Sequence, residues 1–154
     1  MDIAHFIIPS FVIFVMFAGS WLTQKGMHWY QTIAIPKITP PSWVFSVVWM
    51  ILYILLISSA IMWWDSLNQS WFERMIIAGL FLLNGMLNVS WSYFFFYRHM
   101  IGLPILISVG LQTTLLTLIY LLWPINWVSA LLLIPYALWM IFAIAINIGT
   151  WWLN

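Results

Sequence analysis

The chain is 154 residues long, 66% hydrophobic and 5% charged, with a net charge of +1. So few charges cannot keep so much apolar surface dispersed in water, which excludes a water-soluble domain and leaves an integral membrane protein. The near-neutral balance speaks against nucleic acid as a partner, and the absence of cysteine excludes a disulfide framework and thiolate metal sites.

A bilayer core is crossed by about 20 apolar residues of helix. The chain divides into five such pieces, so the expected fold class is all-α: one domain, residues 1–154, forming a bundle of five transmembrane helices. The first piece spans about 3–22; it opens with Asp2 and no Lys or Arg, unlike a signal peptide, and reads as a retained helix. A loop at about 23–41 follows, long enough to act as a lid, with Pro36, Pro40 and Pro41 stiffening its return to the membrane. The second and third helices, about 42–64 and 71–96, are separated by Asp65-Ser66-Leu67-Asn68-Gln69. Tyr97-Arg98-His99 precedes the fourth, about 102–123, and Pro124 precedes the fifth, about 126–152. Lys25, Lys37 and Arg98 fall on one side of the membrane and Arg74 on the other. The positive-inside rule then places the C-terminus in the cytoplasm and the N-terminus outside. The lack of a targeting extension and the compact loops suggest a bacterial plasma membrane.

All seven charged residues and all three histidines map to helix ends or loops. Ion- and proton-coupled transporters keep an ionisable group at depth, so this pattern argues against a pump, a voltage sensor or an ion-coupled carrier. What remains at depth is neutral and polar. Asn84, Asn88, Trp91 and Phe95 share one face of the third helix, and Tyr136, Trp139, Ala143 and Asn147 one face of the fifth. The second helix opens with Trp43, Ser46, Trp49, Met50 and Tyr53. At ~1.5 Å of rise per residue these amides and aromatics gather in the cytoplasmic half, under the long loop. Trp21, Trp63, Trp64, Trp71, Trp123, Trp151 and Trp152 suit the interfacial belt instead. A cluster of Asn and Trp can be a self-satisfied core, each indole N–H meeting an amide carbonyl. It can equally line a cavity for a flat apolar guest with polar edges. The residues alone leave both open.

Four motifs resemble the translocator protein family, also called the peripheral-type benzodiazepine receptor, TspO/MBR or tryptophan-rich sensory protein family. They are Trp29-Tyr30; PPSWVFSVVWMILY from Pro40 to Tyr53; LNVSWSYFF from Leu87 to Phe95; and LLIPYALWMIFAIAIN from Leu132 to Asn147. The resemblance implies a commonly dimeric five-helix bundle whose pocket is closed by the first loop. It implies ligands such as porphyrins (protoporphyrin IX), isoquinoline carboxamide and benzodiazepine-type drugs, with no required cofactor. Carried over residue by residue, the ligand-binding set is Tyr30, Trp43, Asn84, Asn88, Trp91, Trp139, Ala143 and Asn147. The implied function is a membrane receptor or carrier for flat hydrophobic ligands, with a possible role in transport or stress signalling. Alternatives are a light-dependent porphyrin-degrading enzyme and a regulatory subunit without a small ligand. Three departures bear on this. Ile38 stands where many relatives carry a Trp implicated in porphyrin photochemistry. The early fourth helix, Leu103-Pro104-Ile105-Leu106, lacks an acidic residue often found there. The C-terminal segment Asn147 to Trp152 lacks the Tyr-plus-basic pattern associated with cholesterol.

Overall fold

The computed structural model describes residues 2–67 and 69–154. Five long helices account for nearly all of these: α1 (Ala4–Tyr30), α2 (Ser42–Trp64), α3 (Trp71–Ser92), α4 (Gly102–Leu122) and α5 (Trp127–Leu153). Each is long and apolar enough to cross a bilayer. The exterior is as greasy as the interior: Phe14, Phe17, Ile54, Leu106 and Leu138 are all exposed. Only lipid makes that arrangement stable, because the ring's outer faces then cost no apolar hydration.

The helices close into a ring in the order α1–α2–α5–α4–α3 and back to α1. Leu115, Leu118 and Leu122 of α4 and Ala130 and Leu133 of α5 have no exposed surface, so this seam is the densest part of the core. Across the α2–α5 seam, Ser59 and Ser129 each donate their hydroxyl to the other's carbonyl oxygen at 2.8 Å. Small side chains let the two backbones approach, and the reciprocal bonds satisfy both hydroxyls away from water.

The ends are punctuated as the local chemistry requires. Ser70 and Glu73 form a reciprocal capping box that starts α3. Asn126 caps α5 by accepting from the Ser129 N–H. At the far end of α3 the chain widens into a π-helical turn, Tyr93–Tyr97, and stops at His99, whose φ of 55° is left-handed.

The end carrying Asp2 and Asp65 is called here the acidic end. There the Trp64 indole donates to the Asp2 carboxylate at 2.7 Å, which holds that carboxyl below its usual range. His5 Nε2 lies 3.0 Å from Asp65. At the opposite end a strap, residues 31–41, connects α1 to α2 and crosses the end of α5. Asn154 accepts from the Ala34 N–H at 3.1 Å and donates to the Ala34 carbonyl at 2.8 Å. Gly149 lies so near Pro36 that an added Cβ would come within 2.6 Å of the proline ring.

Two expectations change. The first helix runs to Tyr30 rather than to about residue 22, so Lys25, His28, Trp29 and Tyr30 are helical and the connecting strap is shorter than the predicted loop. Thr23, Gln24 and Lys25 look like a break by polarity, yet no proline interrupts the helix there, and Gly26 is needed for contact. A Cβ at that position would lie 2.1 Å from the Phe96 carbonyl oxygen in the π turn. Trp63, expected in the interfacial belt, is 2% exposed and donates to Gln69 at 2.7 Å.

Candidate ligand site

The ring order keeps α3 away from α2 and α5 at the backbone level, yet polar side chains cross the middle. Asn88 is the hub. Its Oδ1 accepts from the Tyr53 hydroxyl of α2 at 3.0 Å, and its Nδ2 donates to the Tyr136 hydroxyl of α5 at 3.1 Å. All three residues are buried. This layer splits the interior into a part toward the strap and a part toward the acidic end.

On the strap side the walls are aromatic. Trp49 packs edge-on against Tyr136 with centroids 5.6 Å apart, and Phe45 packs edge-on against Trp139 at the same separation. Trp91 Nε1 donates to Asn147 Oδ1 at 3.0 Å, and Asn147 Nδ2 donates to the Ile101 carbonyl at 3.1 Å. Trp91 also stacks on Phe95, 4.9 Å between centroids, and Phe95 meets Trp29 and Tyr30 of α1. Trp139 Nε1 is buried and has no hydrogen-bond partner among the described residues. An unpaired donor in such surroundings costs about 1–3 kcal/mol.

The structure therefore brings Tyr30, Trp91 and Asn147 into one connected patch, joined through Phe95. Asn88 sits in the neighbouring layer, one turn from Trp91, and Ala143 stands half-buried one turn along α5 from Trp139. Asn84 is also buried, on the far side of the layer, where it donates to Thr114 Oγ1 of α4 at 2.8 Å. Trp43 stands apart, 68% exposed. The reason is its register: Trp43, Val47, Met50 and Ile54 form the outward stripe of α2. Ser46 also points outward, and the inward positions near the strap belong to Phe45 and Trp49 instead.

Tyr53 and Tyr136, which complete the central layer, lay on the inward stripes in the sequence, but nothing there marked them as partners of one amide. Thr114 was harder to find. Its signal was the polar run Gln112-Thr113-Thr114 within an otherwise apolar fourth helix.

The pattern of the TspO/MBR family matches residues 7–153. The chain is 33% identical over 146 residues to the tryptophan-rich protein TspO of Archaeoglobus fulgidus, covering 93% of this chain and 92% of that one. It is 30% identical over 128 residues to protein CrtK of Rhodobacter capsulatus, covering 82% and 78%. With the translocator protein of Sus scrofa the identity is 28% over 130 residues, covering 82% and 75%.

Proposed function

Because the chain belongs to the TspO/MBR family, we propose that it is a membrane receptor or carrier for flat hydrophobic ligands, with protoporphyrin-like tetrapyrroles as the leading class. The supporting observation is the Trp139 indole N–H, buried without a partner between the aromatic faces of α2 and α5. A guest bearing an acceptor at its edge relieves that unmade bond, while Trp49, Trp91 and Trp139 offer ring faces for a macrocycle. Tyr30 and Asn147 belong to the same aromatic patch as Trp91, Asn88 closes it from the neighbouring layer, the small Ala143 lies one turn from Trp139 on α5, and Asn84 lies one turn beyond Asn88 on α3. Trp43 belongs to the lipid-facing stripe and contributes by anchoring the start of α2.

The strap covers this end of the ring and is tied to α5 through Asn154 and Pro36. Its release and return would admit and retain a ligand. Lys37 on the strap offers a cation for a propionate. In this reading the strap and C-terminus face the cytoplasm, following the three cations Lys25, Lys37 and Arg98 at that end. The chain resides in a bacterial plasma membrane as a homodimer.

The test is quenching of tryptophan fluorescence by titrated protoporphyrin IX in detergent. Saturable quenching that weakens on Trp139→Phe supports the reading. Quenching that is unchanged in that variant, or no greater than with an unrelated membrane protein, removes it.

A further inference from the structure

A hollow lies on the other side of the Asn88 layer. It measures about 240 Å³ and sits between α1, α2 and α3 toward the acidic end. Gly26 cinches α1 to the π turn, and at Gly85 an added Cβ would fall 2.7 Å from the Phe11 ring, so α1 and α3 are in close contact along that stretch. The hollow runs alongside this contact, with Phe11, Val15 and Gly85 in its lining, and is flanked at the outer surface of the ring by Ile7 and Leu82, which are 58% and 49% exposed. Its mouth therefore faces lipid.

The hollow is walled almost wholly by hydrocarbon and aromatic carbon, and Asn84 borders it. Asn84 is 1% exposed, and its Oδ1 is buried without a partner among the described residues. The orientation of the amide follows from its neighbours. The Thr114 hydroxyl already donates to the Leu111 carbonyl at 2.8 Å, so toward Asn84 it can only accept. Nδ2 is thereby turned toward α4, and Oδ1 is the unpaired amide atom of a residue in the wall of the hollow.

We propose that this hollow is a lateral binding site, entered from the bilayer between Ile7 and Leu82, for a small apolar molecule carrying one hydrogen-bond donor. A monocyclic or bicyclic phenol or alcohol fits, its O–H meeting Asn84 Oδ1. Size sets the class: an apolar cavity of about 150 Å³ takes benzene, and pockets for drug-sized ligands begin at about 300 Å³. A tetrapyrrole does not fit. The site is thus separate from the strap-side site, and it stands whether or not that site binds porphyrin.

The full-length protein in lipid nanodiscs is titrated with 4-(trifluoromethyl)phenol and with 4-(trifluoromethyl)anisole, which lacks the donor, following fluorine-19 shifts against protein-free nanodiscs. The phenol should bind saturably, and the anisole roughly three- to tenfold more weakly. Asn84→Leu should erase the difference between the two probes. Ala60→Leu, at a wall position 4% exposed, should abolish binding of both. Saturating protoporphyrin IX should leave the phenol signal in place. Equal affinity for the two probes in the unmodified protein would indicate an acyl-chain groove indifferent to the amide, and would overturn the proposal. So would a phenol signal that both variants leave unchanged, one that porphyrin displaces, or the absence of saturable binding.

Discussion

Two tryptophans of the strap-side site differ in one respect that a conservative substitution can isolate. Trp91 Nε1 is paired with Asn147 Oδ1 at 3.0 Å, and Asn147 is 3% exposed. Trp91→Phe therefore strands a buried amide oxygen, at about 1–3 kcal/mol. Trp139 Nε1 has no partner, so Trp139→Phe strands nothing and removes a donor that was already unmet. Both changes delete the same ring atoms from half-buried positions, and that loss of packing largely cancels in the comparison. Without ligand, Trp91→Phe should thus be the more destabilising by at least about 1–3 kcal/mol, read from unfolding midpoints in one detergent. With protoporphyrin IX the order should reverse in affinity, Trp139→Phe weakening binding roughly three- to tenfold through the lost bond. If Trp139→Phe destabilised the empty protein as much as Trp91→Phe does, the indole would have a partner and the argument for a vacant acceptor position would fail.

Other consequences follow from single contacts. Gly26→Ala would set a methyl 2.1 Å from a backbone carbonyl oxygen, a clash that no rotamer change relieves. It should cost about 3 kcal/mol or more, at or above the upper end for overpacking, seen as a lowered thermal midpoint and a loosened α1. Asn154→Ala and Gly149→Ala both weaken the seat of the strap. They should speed porphyrin release in stopped-flow quenching with little change in global stability, whereas unchanged release rates would show that the strap does not gate the site. Ile38 is 59% exposed on the strap, at the position where the family resemblance assigns a photochemically implicated tryptophan. Illuminated porphyrin should therefore lose its Soret band no faster with this protein than in detergent alone, and Ile38→Trp should accelerate the loss.

Apolar run lengths made the five helices legible, because a span needs little more than length and the exclusion of charge. The end of α1 was not legible in the same way. Thr23, Gln24, Lys25 and His28 are polar enough to read as a loop, and what keeps them helical is the contact of Gly26 with the π turn, some 70 residues away in sequence. The inward stripes of α3 and α5 were readable from helical period, and with them Asn88, Trp91, Trp139 and Asn147. On α2 the same period admits two phases, since both faces carry large apolar side chains. An interior of aromatics and an exterior of lipid select for similar residues, so Trp43 and Trp49 look alike until the ring closes. Trp63 was obscured for the same reason. Its place near a helix end suits a belt, and only Gln69 folding back to accept its N–H makes it core.

The hydrogen-bond pairing within the ring was the least visible feature. Asn88 could have bonded any hydroxyl at its depth, and its choice of Tyr53 and Tyr136 depends on ring order rather than on any local pattern. The same holds for Asn84, whose free Oδ1 results from Thr114 having spent its proton on Leu111.

The most direct test is a crystal structure of the protein with bound protoporphyrin IX. The account predicts the macrocycle beneath the strap, between α2, α3 and α5, with an edge acceptor within hydrogen-bond distance of Trp139 Nε1 and the Tyr53–Asn88–Tyr136 layer intact behind it. A macrocycle lying on the lipid-facing surface, with the Trp139 nitrogen still unpaired, would contradict it.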